Sequence, residues 1–385
     1  MTTAAAVSAS VLADWRAWTP TPLGGPDWYT AAGMLDEVTV LTAGQQAVVP
    51  VWVPGDDADY YHRPACLLAG EREAGFLGGE TPVEAGRLSG SGVTVSPYAY
   101  LGGAALGPQA DADALAAELI GHGRRTGVPM LASHYLLEGR DDRWVRALVR
   151  AGGIPAVLGA HCHLEVEWPS LDGYHHHNQY LRRIGRQYRR WREGDTHVEV
   201  YGPAAEAPHP ETVVALFADS ARTHGQIRPP IPLYRRLVRG LVPGRTLITV
   251  SDRPVGPPRS AVAVLDDGVT LYPKFFGTQR PGADYFELAY GELVALAIER
   301  GRRRIDYGGT THAAKLRRGC RLHYALGVFL VLDERLGPPV ERALRTLSAN
   351  KYAYFRGVSA SHHRDRVATP LPQVLSTAGA TGPMC

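Results

Sequence analysis

Residues 270–319 read TLYPKFFGTQRPGADYFELAYGELVALAIERGRRRIDYGGTTHAAKLRRG, and the reading of the chain starts there. Residues 270–276 are rich in β-branched and aromatic side chains, which suit a pleated strand. Asp266-Asp267-Gly268 just before them is a hairpin signal, and residues 260–265 and 247–250 extend the pattern into an antiparallel meander. Residues 285–300 carry apolar positions at helical spacing, and 304–308 form a further short strand. Gly308-Gly309 lets the backbone take positive φ or come close to a ligand. Lys315, Arg317 and Arg318 follow within a few residues. Cations beside exposed backbone N–H groups make an anion or oxyanion site. A surface turn with solvated charges reads the same way, so local chemistry leaves both open.

Outward from this stretch the texture repeats. In the first half, residues 38–41, 47–53 and 64–68 read as strands, and 96–103 (SPYAYLGG) as a strand end entering a glycine turn. Residues 111–125 read as a helix with Gly127 as its stop, and Pro129 opens the next strand. A second helix covers 142–151, and residues 161–168 alternate like a strand. Residues 174–193 lack proline and place Tyr180, Ile184, Tyr188 and Trp191 on one helical face. Arg182, Arg183, Arg186, Arg189, Arg190 and Arg192 cover much of the remainder. Then come a strand at 197–201, a helix at 210–223 and an extended connection through the prolines at 228–232. Each half offers strands followed by helix and strand, which predicts an α/β protein of two comparable lobes with a boundary near residue 170.

Composition narrows the function classes. A chain of 385 residues is long for one domain, and 45% hydrophobic with 21% charged residues is ordinary for a globular protein. The formal net charge of +3 is small, so anion binding has to come from local clustering. Cys66, Cys162, Cys320 and Cys385 form no CxxC pair, which excludes zinc-knuckle and thioredoxin readings and suits a reducing compartment. The first residues lack the basic and apolar regions of a signal peptide, and no run approaches the roughly eighteen apolar residues of a membrane span. A cytoplasmic location is the expectation. No P-loop, Rossmann fingerprint or GxSxG elbow is present. His175-His176-His177, with His161 and His163, lack the acidic or cysteine spacing that completes a metal site. Neither metal nor cofactor is expected. Cys320, between Arg318 and Arg321, reads either as an acyl-enzyme thiol activated by those cations or as a small packed residue.

Several of these stretches resemble one family. Leu271-Tyr-Pro-Lys-Phe-Phe-Gly277, Phe286-Glu287-Leu-Ala-Tyr290 and Asp306-Tyr-Gly-Gly-Thr-Thr-His-Ala-Ala-Lys-Leu-Arg-Arg-Gly319 resemble the peptidoglycan-biosynthesis/recognition branch of the GNAT superfamily. That branch holds the relatives of the Fem aminoacyltransferases. Ser96-Pro-Tyr98-Ala-Tyr100-Leu-Gly-Gly103 is similar to a Fem turn, and Tyr180-Leu-Arg-Arg-Ile-Gly-Arg-Gln-Tyr-Arg-Arg to the basic helix that opens the second Fem lobe. The resemblance covers about residues 90–320. His312 stands three residues before Lys315, where the family places it directly before.

The resemblance implies two fused GNAT-like lobes, each a mixed, mostly antiparallel sheet flanked by helices. Residues 1–170 make the first and 171–322 the second. Residues 323–350 return to the first lobe, and 351–385 form a partly mobile C-terminal extension. It also implies an aminoacyltransferase that moves an amino acid from aminoacyl-tRNA to a small amine, either a specialised metabolite or a peptidoglycan precursor. An acyl-CoA N-acyltransferase and a non-catalytic RNA- or cell-wall-recognition protein are the alternatives. Lys315 stabilises the carbonyl oxyanion or the leaving RNA end on this reading, with His312 and Asp306 as candidate bases. Tyr98, Tyr100, Tyr272, Phe276, Glu287, Tyr307, Gly308, Gly309, Arg317 and Arg318 line the substrate site. Arg182, Arg183, Arg186, Arg189 and Arg190 either follow tRNA phosphates or form a solvated outer face.

Overall fold

The computed structural model describes residues 7–55, 58, 61–78, 85–224, 226, 228–280 and 284–362. The strands are β1 (Thr39–Thr42), β2 (Ala47–Val51), β3 (Gly92–Val93), β4 (Ala105–Leu106), β5 (Met130–Leu137), β6 (Ile154–Glu165), β7 (His197–Tyr201), β8 (Arg245–Ser251), β9 (Ser260–Asp266), β10 (Thr270–Thr278), β11 (Arg304–Asp306) and β12 (Arg321–Val331). The chain divides into two compact units. One takes the residues up to Thr30, Met34–His161 and those from Leu322 onward; the other takes Cys162–Arg321 with the short Ala31–Gly33 segment. The division falls inside β6.

In the first unit β1, β2 and β4 form a small antiparallel sheet. In a second sheet β3 lies parallel to β5, and β12 pairs antiparallel with β5 and neighbours β6. β5 is buried along its length, Ser133 and His134 included, which is why it shows no apolar–polar alternation. The Ala112–Thr126 helix starts where the Asp111 carboxylate accepts from the Ala114 N–H at 2.9 Å and ends at Gly127 in the left-handed region. Buried indoles brace the Ser96 turn: Trp28 Nε1 donates to the Pro97 carbonyl at 2.8 Å and Trp52 Nε1 to that of Val95 at 2.9 Å.

In the second unit the sheet runs from the end of β6 through β11, β10, β9 and β8 to β7, antiparallel except for the β10–β11 pair. Asp267 closes the β9–β10 hairpin by accepting from the N–H groups of Val269 and Thr270 at 2.8 and 2.6 Å. Two buried arginines hold this unit. Arg245 donates its terminal nitrogens to the carbonyls of Tyr201, Gly202, Ala205 and Val238. Arg259 pairs with Asp284, which also accepts from Ser260 and Trp191. Burial alone would raise the Asp284 carboxyl, but Arg259, Ser260 and Trp191 together hold it below the usual range.

The fold is mixed α/β, and the elements depart from the sequence reading in four places. Pro64 opens the helix Pro64–Glu73 and not a strand; proline fits a first helical turn because its missing N–H is not needed there. Residues 174–193 are two helices, Leu171–His176 and Gln179–Glu193, because Asn178 accepts from the Leu181 N–H at 2.8 Å and starts a new one. Leu181 takes the inward position, and Tyr180 is 37% exposed. The 228–232 connection is already helical from Ile231. Finally, the Gly337–His362 helix runs on through residues 351–362; residues 363–385 lie outside the described part of the chain. Among the described residues no helix is long and apolar enough to cross a membrane.

Candidate functional site

The sequence-expected residues of the second unit gather after β11. Asp306 ends that strand, and its Oδ1 accepts from the Gly308 N–H at 2.8 Å while Oδ2 stands 3.4 Å from His163 Nε2. Gly308 has φ +70°, a turn that a side chain would strain. Backbone bonds between Cys162 and both Tyr307 and Gly308 tie this turn to β6. The chain then forms the short helix His312–Leu316. Lys315 on it points inward, 2% exposed, and Nζ donates to the carbonyls of Tyr307 at 2.6 Å and Gly308 at 3.2 Å. Lys315 therefore fixes the turn from inside. Burial lowers its ammonium below the usual lysine range, an effect that Cys162, Cys320 and Asp306 partly offset.

Arg317 and Arg318 part company. Arg317 faces solvent and Arg318 is 5% exposed. The Arg318 guanidinium lies over the rings of Phe286, Tyr290 and Tyr180 at 3.9, 4.9 and 5.5 Å from their centroids. Its Nη1 donates to the Ala314 carbonyl at 2.7 Å, and its buried Nε has no hydrogen-bond partner among the described residues. The Tyr174 hydroxyl donates to the Arg318 carbonyl at 2.9 Å and fixes the backbone.

The rings form a continuous wall. Phe276 meets Tyr285 edge-on at 4.6 Å, Tyr285 meets Phe286 at 5.1 Å, and Tyr290 stacks on Tyr307 at 4.7 Å. The wall owes its shape to a π turn, Leu288–Glu292, within the helical stretch that begins at Tyr285. Such widened turns recur at functional sites. Gly291 sits in it, and a Cβ there would come within 2.2 Å of the Tyr188 ring. The Tyr307 hydroxyl donates to the Ala289 carbonyl. Burial raises the phenols of Tyr174, Tyr290 and Tyr307 well above their usual range, so these rings stay neutral. Glu287, half-buried between Phe286 and the π turn, keeps its buried Oε2 without a hydrogen-bond partner among the described residues. Burial lifts its carboxyl above the usual range; its own N–H and the Arg318 charge oppose this, and Asp284 adds to it.

The structure thus brings Phe276, Glu287, Tyr307, Gly308, Lys315 and Arg318 into one unit, together with Asp306. Gly309 follows in the same turn, half-buried, and His312 opens the short helix, also half-buried. Tyr272 is used elsewhere, its hydroxyl donating to Asp267 of the β9–β10 hairpin at 2.9 Å. Cys320 is fully buried, and burial pushes its thiol well above the usual range in spite of Lys315 and Arg318, the reverse of an activated nucleophile. Tyr98 and Tyr100 belong to the first unit. Tyr98 has φ +55° in the braced turn, and Tyr100 stacks on Tyr61 at 4.0 Å. Arg182, Arg183, Arg186, Arg189 and Arg190 are all exposed on the Gln179–Glu193 helix. Arg189 stands 3.5 Å from Asp172; the other four form no ion pair among the described residues. The sequence reading left Tyr180, Tyr285, Phe286 and Tyr290 out of the site. The four-residue spacing of Phe286 and Tyr290, one helical turn, was the available signal.

Comparison with solved structures places this architecture. The C-terminal DUF2156 domain of a putative lysylphosphatidylglycerol synthetase from Agrobacterium fabrum superposes with a TM-score of 0.56 at 10% identity, over 89% of this chain and 96% of that one. FemX superposes with a TM-score of 0.54 at 11% identity, over 89% of this chain and 100% of that one. The fold is the GNAT fold. L-PGS from Bacillus licheniformis shares it with a TM-score of 0.52 at 9% identity, over 82% of this chain and 90% of that one. No protein-family model matches the chain, and no curated protein matches it. In GNAT terms the two expected lobes are present, each a mixed sheet flanked by helices.

Proposed function

We propose that this chain is an amide-forming aminoacyltransferase that takes its amino acid from aminoacyl-tRNA and passes it to a small amine. The observation that carries the reading lies within one unit. A buried, aromatic-walled cation, Arg318, and an exposed helix whose Arg182, Arg183, Arg186 and Arg190 have no carboxylate partner among the described residues belong to the same body. The first provides positive charge for an anionic group of the substrate; the second provides contacts for a polyanion. FemX and the lysylphosphatidylglycerol synthetases, whose name describes an aminoacylated phospholipid, share the fold and support the reading.

Each residue then has a physical task. Lys315 holds the Tyr307–Gly308 turn and adds buried positive charge beneath it, on the side where the reacting carbonyl develops its negative charge, while Arg318 is the cation that holds an anionic group of the substrate. Of the two bases expected from the sequence, Asp306 is engaged by the Gly308 N–H and His312 opens the short helix. Positioning supplies most of the rate, since amine attack on an ester needs little covalent help.

Competition binding with charged tRNA, uncharged tRNA and acyl-CoA at two salt concentrations tests this. Charged tRNA should win. Replacing Arg182, Arg183, Arg186 and Arg190 together by Gln should lower the salt slope by roughly 3.6, since each lost phosphate contact removes about 0.9. Tight acyl-CoA binding with no preference for charged tRNA would overturn the reading in favour of acyl-CoA transfer. Binding of charged donor without turnover would favour a recognition protein.

A further inference from the structure

Two opposite charges stand incompletely paired on adjoining surfaces of the second unit. Among the described residues, Arg318, 5% exposed, leaves a buried Nε–H unused and Glu287 leaves a buried carboxylate oxygen unused. They are no ion pair within 4.0 Å of each other, yet Glu287 immediately follows Phe286, the ring closest beneath Arg318. A free Nε alone is not distinctive, because buried Arg245 has one as well. Arg318 differs in lying over three rings, next to a carboxyl group with one buried oxygen unbonded among the described residues, where Arg245 is filled by four carbonyls. Buried charges that lack partners are costly and persist where something else meets them.

We infer that Arg318 and Glu287 together bind the head group of a free α-amino acid, its carboxylate on Arg318 and its ammonium on Glu287. Charge decides between the candidate occupants. A cation and an anion at one site sum to zero, as does a zwitterion, so all four charges find partners. An aminoacyl ester has an ammonium but no carboxylate and would leave Arg318 uncompensated. A simple amine has the same defect, and a simple acid leaves Glu287 unmet. The rings of Phe286, Tyr290 and Tyr180 exclude water from the pair and strengthen both contacts.

Joined to the proposed transfer, on which this part rests, the amino acid is the acceptor. Its α-ammonium gives one proton to Glu287, whose burial already favours the protonated form. The nitrogen bonds to the donor's acyl carbon and the ester C–O bond breaks. The leaving RNA oxygen takes the second proton lost by the nitrogen, and Glu287 returns the first to solvent. The product is a dipeptide with a free carboxylate.

Calorimetry on the full chain without tRNA tests the site. The probes are the standard amino acids, each at up to about 10 mM. For the tightest, the decarboxylated amine, the desamino acid and the methyl ester follow. The amino acid should bind at least about tenfold more tightly than all three, because each analogue strands a buried charge. Arg318→Met should erase the preference over the amine, and Glu287→Gln the preference over the desamino acid. Circular dichroism checks that both fold; if one does not, the analogue series on the unmodified chain decides. Absence of amino-acid binding, or analogues that bind equally, overturns the site. A methyl ester that binds as tightly as the acid overturns the acceptor assignment and points to the aminoacyl end of the donor. Intact amino-acid binding alongside a failed preference for charged tRNA sinks the donor reading alone.

Discussion

Arg259 and Arg318 are buried to the same degree in the same unit, each 5% exposed, and their surroundings are opposite. Every nitrogen of Arg259 donates: Nε to Asp284 at 3.0 Å, Nη1 to Asp252 and the Asp195 carbonyl, Nη2 to Thr196 and Asp284. Among the described residues Arg318 donates from Nη1 to the Ala314 carbonyl and otherwise rests on rings. A buried cation that is fully paired with its own chain fastens the fold. One that is left part-paired in an aromatic setting is suited to something from outside. The contrast separates scaffold from site more sharply than burial or residue type does.

The most direct way to break that contrast is Asp284→Ala. It leaves the Arg259 charge buried with Asp252 as its remaining carboxylate partner and also strands the Trp191 N–H, while Ser260 keeps Thr278. The expected loss is about 3–5 kcal/mol in urea unfolding, the usual cost of removing one partner from a buried pair. A loss below about 1 kcal/mol would show that the network does not fasten this unit. Arg318→Met should behave differently. An apolar chain of similar reach over the same rings replaces a poorly paired cation, so stability should stay within about 1 kcal/mol of the parent or rise. A loss as large as that of Asp284→Ala would make Arg318 a structural cation.

How much of this was legible beforehand follows the range of the interaction. The meander from β8 to β10 and the Asp267 hairpin could be read because strand alternation and turn chemistry are local. Helix entry at Pro64 could not be told from a strand, because the apolar run after it is too short to show a period. Lys315 was placed by its motif, but not its direction. The sequence pattern is equally compatible with a lysine at a surface turn, and the left-handed Thr311 with the helix behind it turns the side chain inward. The aromatic wall joins residues near positions 180, 290 and 318, and nothing local announces that they meet. The π turn is hidden for the same reason, since an inserted residue in a helix is visible only against what it packs on, here Tyr188 against Gly291.

The smallest expected effect is the finest probe of the contrast, and it lies in the pH dependence of Glu287. Burial raises its folded-state pKa above the ordinary value of 4.5. The unfolded chain therefore gives up this proton more readily than the folded one. The stability contributed by Glu287 is complete below 4.5 and is lost as pH rises through the raised folded value. Glu287→Gln has no such proton to lose. Its stability relative to the parent should be level in acid, climb across that window, and then hold a constant advantage up to neutral pH. Urea unfolding of both chains across this range measures the difference. An advantage that grows instead as pH falls would mean that the Glu287 carboxylate is already paired within the fold. Saturating amino acid sharpens the result, because an ammonium on the carboxylate draws its pKa back down. The parent should then recover stability in the neutral range where the Gln variant gains less, so the advantage shrinks when the site is filled. A gap that ligand leaves unchanged would place Glu287 with Arg259, among the residues that serve the scaffold.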